Sequence, residues 1–266
     1  MRGDETVPFY RIESPDNARV KGVCALQKSR AERENQGKLV IENPVMLSEA
    51  LANGITVTEA YFDDAADPAL AALCGEKGAQ IFSVSDRVMK KMTALEAPQG
   101  VCAVIERASL PKFDLHTGGR YLVCERLGDP GNLGTIIRTA DAMGFDGVVL
   151  SKGSVDATSP KVIRATMGSL FRLPVQTEVD LPAFLTICKG LAIPTVAAVL
   201  DRNAKPAHTL PTDNGAAILI GNEAAGLTPD TVSRCECTAF IPMAGKAESL
   251  NAAVAASIFL WLFRKP

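Results

Sequence analysis

A chain of 266 residues, 47% hydrophobic and 22% charged, has room for one large domain or two ordinary ones and the composition of a soluble globular protein. Its net charge of −2 excludes a protein that coats nucleic acid through bulk charge, while leaving room for a local basic face. With two histidines, a His-rich metal site is not expected, and seven scattered cysteines without a Cys-x-x-Cys pair read as reduced thiols in a cytoplasmic protein.

The opening, Met1 to Glu5, is polar and no apolar core follows it, so no signal peptide is expected. Ser14-Pro15 then opens a helix, serine as cap and proline in the first turn, whose apolar residues Val20, Val23 and Leu26 lead on to a stop near Gly37. Arg19, Lys21, Lys28, Arg30, Arg33 and Lys38 crowd this stretch against Glu32 and Glu34. That run reads either as a solvated helix face or as a phosphate-facing surface. Strands follow at 38–42, 55–62, 80–84 and 101–105, with helices at 44–52, at 68–74 closed by Gly75, and at 86–95 capped by Asp86. The alternation predicts an α/β domain with a mainly parallel sheet and no evident catalytic cluster. Residues 107–120 break the pattern with Pro111, a lone His116 and Gly118-Gly119, and read as the linker region. The domains then fall at 1–108 and 120–266, with a linker at 109–119.

Tyr121 to Cys124 reads as a strand running into Glu125-Arg-Leu-Gly-Asp-Pro-Gly-Asn-Leu-Gly134, followed by a helix over 135–143 and a strand over 148–150. Glycines at 128, 131 and 134 lack the spacing of a dinucleotide-binding turn, and no Gly-Lys-Ser/Thr follows as a Walker loop requires. Asn132 at the helix start and Arg138 further in suit an anion, phosphate being the commonest; a plain cap and a surface charge fit the same pattern. A capped helix at 159–168, strands at 170–175, 193–200, 216–220 and 238–241, and a helix at 181–189 come next. The last two strands each end in a polar loop, and an apolar helix from Ala252 to Phe263 closes the pattern. That run is shorter than the ~20 residues a membrane span needs.

Three motifs stand in order: Asn132-x-Gly134-x-x-x-Arg138, then Gly221-Asn222-Glu223-x-x-Gly226-Leu227, then Ile241-Pro242-Met243 with Glu248-Ser249-Leu250-Asn251. The ordered set resembles the SpoU (TrmH-like) branch of the SPOUT RNA methyltransferases. The segment from Ser159-Pro-Lys to Leu173-Pro174 also looks like the family's, and the first domain resembles its ribosomal-protein-L30e-like substrate-binding domain through the basic first helix, Leu39-Val-Ile-Glu42 and Gln99-Gly100. The resemblance implies a parallel sheet whose C-terminal part is tied in a deep trefoil knot, binding S-adenosyl-L-methionine. Knots run against the ordinary connection rules, so the resemblance alone carries that expectation.

By motif position the cofactor falls to Gly221, Ile241 and Leu250, with Met243 and Ser249 beside them. The implied reaction is 2′-O-methylation of a ribose in structured RNA, ribosomal (23S) RNA favoured over transfer RNA, by a homodimer with its site at the subunit interface and without a metal. Arg138 is then the acid–base group or a phosphate clamp, Asn132 fixes the nucleotide backbone, Glu223 orients Arg138, and Asn251 holds the loop or the ribose. Free arginine is a poor base unless strongly perturbed, and clamping the RNA phosphate, while that phosphate or water takes the proton, is an equally physical role. The same reading turns Arg19, Lys21, Lys28, Arg30 and Arg33 towards RNA. This chain has Ala224 where the family often has glycine, Asn43 where a glycine usually follows the glutamate, and Ala252-Ala253-Val254-Ala255 where Val-Ser-Val-Ala is usual. Two readings compete: a non-catalytic RNA-binding relative that kept the fold, and a nucleotide-dependent oxidoreductase, which the glycine spacing disfavours.

Overall fold

The computed structural model of the chain describes residues 10–201 and 203–265, so the polar opening at 1–5 lies outside them. The backbone divides into two units, Met1–Leu110 together with Thr158–Phe171, and Pro111–Ala157 together with Arg172–Pro266.

The first unit holds β1 (Tyr10–Ile12), α1 (Ala18–Lys28), α2 (Arg30–Gln36), β2 (Lys38–Ile41), α3 (Pro44–Ala52), β3 (Val57–Phe62), α4 (Pro68–Glu76), β4 (Gln80–Val84), α5 (Asp86–Met92) and β5 (Val101–Glu106). The helix expected from Ser14 to Gly37 is two helices. Asn17, not Ser14, caps α1, its side chain accepting the Arg19 N–H at 2.9 Å. Ser29 then leaves helical geometry (φ −118°, ψ 120°) and caps α2 through the Glu32 N–H, while Gly37 at φ 62° closes it. Two smaller shifts follow: Ser85 rather than Asp86 precedes α5, and α4 runs on to Glu76 before the chain reverses at Gly78, φ 90°.

The sheet order is β1-β4-β3-β5-β2. It is mixed rather than mainly parallel. β4 runs parallel to β1 and β3, but β5 runs antiparallel to β3 and β2. The coil at 93–100 carries the chain to the opposite end before β5 begins, which helix–strand alternation does not reveal. Helix α7 comes later in sequence (Pro160–Thr166) and belongs to this unit. Its Arg164 pairs with Glu42, which is 2% exposed and also accepts the Ala94 N–H. The strand expected at 170–175 is instead a 3-10 turn, Ser169–Phe171, with Leu170 and Phe171 buried as packing residues.

The second unit holds β6 (Arg120–Cys124), α6 (Pro130–Ala142), β7 (Gly147–Ser151), β8 (Val175–Val179), α8 (Leu181–Gly190), β9 (Thr195–Ala198), β10 (Lys205–Pro206), β11 (Ala216–Ile220), α9 (Pro229–Arg234), β12 (Cys237–Phe240) and α10 (Ala252–Leu262). Its seven strands run in the order β10-β12-β9-β11-β6-β7-β8, and every pair is parallel. β6, β7 and β11 are buried along their whole length, which is why they read as unbroken apolar runs. Because all strands point one way, Cys124, Ser151, Ala198, Ile220 and Phe240 end on one edge, where sheets of this kind bind their ligands. The residues next in sequence therefore share a rim. The short β10 and α9 had no clear periodic signal.

Candidate active site

Helix α6 begins at Pro130, five residues before the expected start. Asp129 caps it, accepting the Asn132 N–H at 2.7 Å, and proline fits the first turn. Asn132 is thus inside the first turn and free to use its side-chain amide elsewhere. That amide donates to Glu223 at 2.9 Å. Glu223 also accepts the backbone N–H groups of Gly128 and Asp129, each at 3.1 Å. On the other side, the Asn251 side-chain amide donates to the Asn132 side-chain oxygen at 3.0 Å while its own oxygen caps α10 through Ala253 and Val254. Asn132, Glu223 and Asn251, up to 119 positions apart, form one hydrogen-bonded cluster.

Burial by itself raises the Glu223 pKa, but the hydrogen bonds from Asn132 and from the backbone at Glu223, Gly128 and Asp129 together outweigh it. The net result lies below the ordinary carboxylate value, so Glu223 is held ionised.

The loop bearing Glu223 is built from Gly221 onward. A side chain at Gly221 would collide with the backbone of Gly226 and Leu227, so only glycine lets β11 end there. Asn222 and Gly226 exchange backbone hydrogen bonds at 3.1 and 2.9 Å, closing the loop on itself. The Asn222 side chain accepts from Ala224 and Ala225 and donates to the Arg126 carbonyl. The loop's far end is tied down by Glu125, 6% exposed, which accepts from Thr228 and Thr231. Neither Asn222 nor Glu125 stood out in the sequence as a loop-builder, although Glu125 directly follows an apolar strand and Asn222 is one residue further on from one.

Beside this loop lies a cavity of about 700 Å³ at the ends of β9, β11 and β12. Gly221, Ile241, Met243, Ser249 and Leu250, the five residues expected at the cofactor, all line it, as do Glu223, Lys246 and Glu248. Ile220, Phe240, Ala252 and Phe259 give it apolar walls.

Among the described residues, no hydrogen bond or ion pair joins Glu223 to Arg138, which is exposed on α6. One expectation does not survive. In the first unit, Arg33 is 4% exposed and donates to the Leu26 carbonyl at 2.7 Å, so it supports the α1–α2 corner instead of facing RNA. Arg19, Lys21 and Arg30 are ion-paired to Glu59, Asp16 and Glu34, and Arg19 also sits over the Phe82 ring. Lys28 is exposed.

Comparison with known proteins places residues 119–261 in the SpoU rRNA Methylase family and residues 17–103 in the MRM3-like substrate binding domain. A 23S rRNA (guanosine(2553)-2′-O)-methyltransferase of Bacillus subtilis is 34% identical, over 96% of this chain and 99% of its own. A 23S rRNA (uridine(2479)-2′-O)-methyltransferase of Streptomyces viridochromogenes is 32% identical, over 98% and 93%. An AdoMet-bound rRNA methyltransferase from Sinorhizobium meliloti superposes with a TM-score of 0.86 at 31% identity, covering 96% of this chain and 97% of that one.

Proposed function

Because this chain belongs to the SpoU rRNA methylase family, we propose that it transfers a methyl group from S-adenosyl-L-methionine to a ribose 2′-hydroxyl of ribosomal RNA. One observation carries the reading: the Asn132–Glu223–Asn251 cluster adjoins, through Glu223, the cavity that all five expected cofactor residues line.

The cavity suits that cofactor. Its volume is within the usual range for small-molecule sites, about 300–1,000 Å³, and its walls are apolar with few polar groups. Two carboxylates, Glu223 and Glu248, against one Lys246 favour a ligand bearing a sulfonium and an ammonium. The wall at Gly221 is bare backbone. When bound, the cofactor supplies an already activated methyl group, so the protein has to align the acceptor and manage one proton.

Asn132 and Asn251 cannot take that proton. Glu223 has its oxygens committed to N–H donors, and its depressed pKa makes it a weak base. Its work is structural, holding the first turn of α6 against the loop after β11. Proton handling and phosphate binding then fall to Arg138. We assign Arg138 to the site of a second copy in a homodimer. Supporting this, α6 packs on α10, and α10 leaves Val254 48% and Trp261 55% exposed. We read the C-terminal part as the trefoil knot, supported by the last strand, β12, lying between the earlier β9 and β10. The free state of all seven cysteines supports a cytoplasmic setting.

The test is transfer of labelled methyl from S-adenosyl-L-methionine to deproteinised ribosomal RNA, followed by alkaline hydrolysis. A 2′-O-methylated ribose blocks cleavage at its own phosphate. Label appearing only in alkali-sensitive positions, or no label at all, would overturn the reading.

A further inference from the structure

The residue that joins β6 to the first turn of α6 is out of keeping with its backbone. Arg126 sits at φ 50°, in the left-handed region that glycine enters freely and other residues at a steric cost. The conformation is held from both sides: the Arg126 N–H donates to the Ser151 hydroxyl at 2.8 Å, and its carbonyl accepts from Asn222, a residue lining the cavity, at 2.9 Å. Glycine would meet this geometry without strain, so what arginine adds is its side chain. Strain of this sort gathers at functional sites.

That side chain is exposed and, among the described residues, has no hydrogen-bond or ion-pair partner. Its stem passes beside Gly153, where an added Cβ would come 3.7 Å from the Arg126 Cγ. Neighbouring carboxylates are already occupied. Glu125 is bound to Thr228 and Thr231, Asp129 caps α6, and Glu223 holds Gly128, Asp129 and Asn132. The side chain of Lys152, the residue after the adjacent strand β7, is exposed and likewise has no hydrogen-bond or ion-pair partner among the described residues. Two unneutralised cations thus stand on the rim where β6 and β7 end.

We propose that Arg126, with Lys152 beside it, grips a backbone phosphate of the substrate RNA next to the ribose that is methylated. This rests on the methyltransferase reading. A guanidinium fits a phosphate through two parallel N–H donors, and the pinned backbone aims it at low entropic cost. Arg126 is therefore a substrate-binding residue.

The experiment compares wild type, Arg126→Gly and Arg126→Lys on deproteinised 23S ribosomal RNA. It reads RNA affinity against salt, methyl-transfer kinetics, S-adenosyl-L-methionine affinity and Tm. Arg126→Gly, which suits the left-handed backbone, is expected to fold as wild type and to keep its cofactor affinity. Its KM for RNA should rise about tenfold, and the slope of log K against log salt should fall by roughly 0.7–0.9, the loss of one phosphate contact. Arg126→Lys should restore the slope. An unchanged slope and KM in Arg126→Gly would overturn the proposal, and so would a loss of cofactor affinity that lysine does not rescue, since that marks a role in loop shape. Wild-type protein with an Arg126-dependent slope but no methyl transfer would overturn the methyltransferase reading and leave the phosphate contact standing.

Discussion

Glu223 and Arg138 divide the work differently from the way their motifs suggest. Glu223→Gln keeps the shape but puts an amide donor among donors, so a loss of about 1 kcal/mol is expected. The folded-state pKa of Glu223 is depressed, so its contribution is present above the unfolded carboxylate value of about 4.3 and is lost as pH falls through the folded pKa. Thermal melts from pH 7 to pH 3 should therefore show wild type and variant converging below about pH 4; a constant gap would refute the charge-based role. Arg138→Ala should keep S-adenosyl-L-methionine affinity in calorimetry and lose at least a hundredfold in turnover, the scale of a general acid–base contribution; retained turnover sinks the assignment. Asn132, Glu223 and Asn251 were legible because the polar residues follow apolar strands or begin helices in a recognisable order. Arg33 was not, because charged residues are almost never fully buried unless paired, and a guanidinium that donates to the Leu26 carbonyl leaves no trace in a charge run.

Among the elements, the loop after β11 sets the position of the cluster, and Gly221 sets the loop. Gly221→Ala places a Cβ against the backbone of Gly226 and Leu227, which cannot give way as a side-chain tip can. Forced packing of this kind costs about 1–3 kcal/mol. The expected result is a lowered Tm together with lost cofactor binding in calorimetry; wild-type affinity would show that the loop tolerates the shift. Strand positions were largely readable, since β4 and β11 occupy the predicted residues, as helix α3 does. Helix ends were less so. Two glycines near Asn132 argue against helix by propensity, yet Asp129 as cap and Pro130 in the first turn start α6 there. Ser29 splits the expected helix in two by capping the second half, and Val20, Val23 and Leu26 all lie in α1, so their spacing gives no signal of the break.

For the molecule as a whole, the acidic net charge confines RNA affinity to local patches, among them the rim around Arg126 and Lys152. The homodimer assignment makes activity depend on association. Trp261→Glu puts a charge on the exposed face of α10, where the native ring lies against Arg264, its guanidinium 4.0 Å from the ring centre. Light scattering should show a monomer, and methyl transfer should fall with it; a fully active monomer would remove the need for a second copy's Arg138. The least legible feature was the membership of α7. Its residues read as a continuation of the second domain, and contacts with β2 far back in sequence, the Glu42–Arg164 pair across 122 positions beside them, assign it to the first unit.

That contact also has a meaning in time. At about 5–20 residues per second, synthesis of the residues between Glu42 and Arg164 takes roughly 6–24 s. Throughout that interval a nascent first unit holds a carboxylate destined for burial with no cation to meet it. An ionised carboxylate resists burial until it is paired, so the first unit reaches its final packing only after residues 111–157 of the second unit have also left the ribosome. The first unit is therefore still open while the second is already being written.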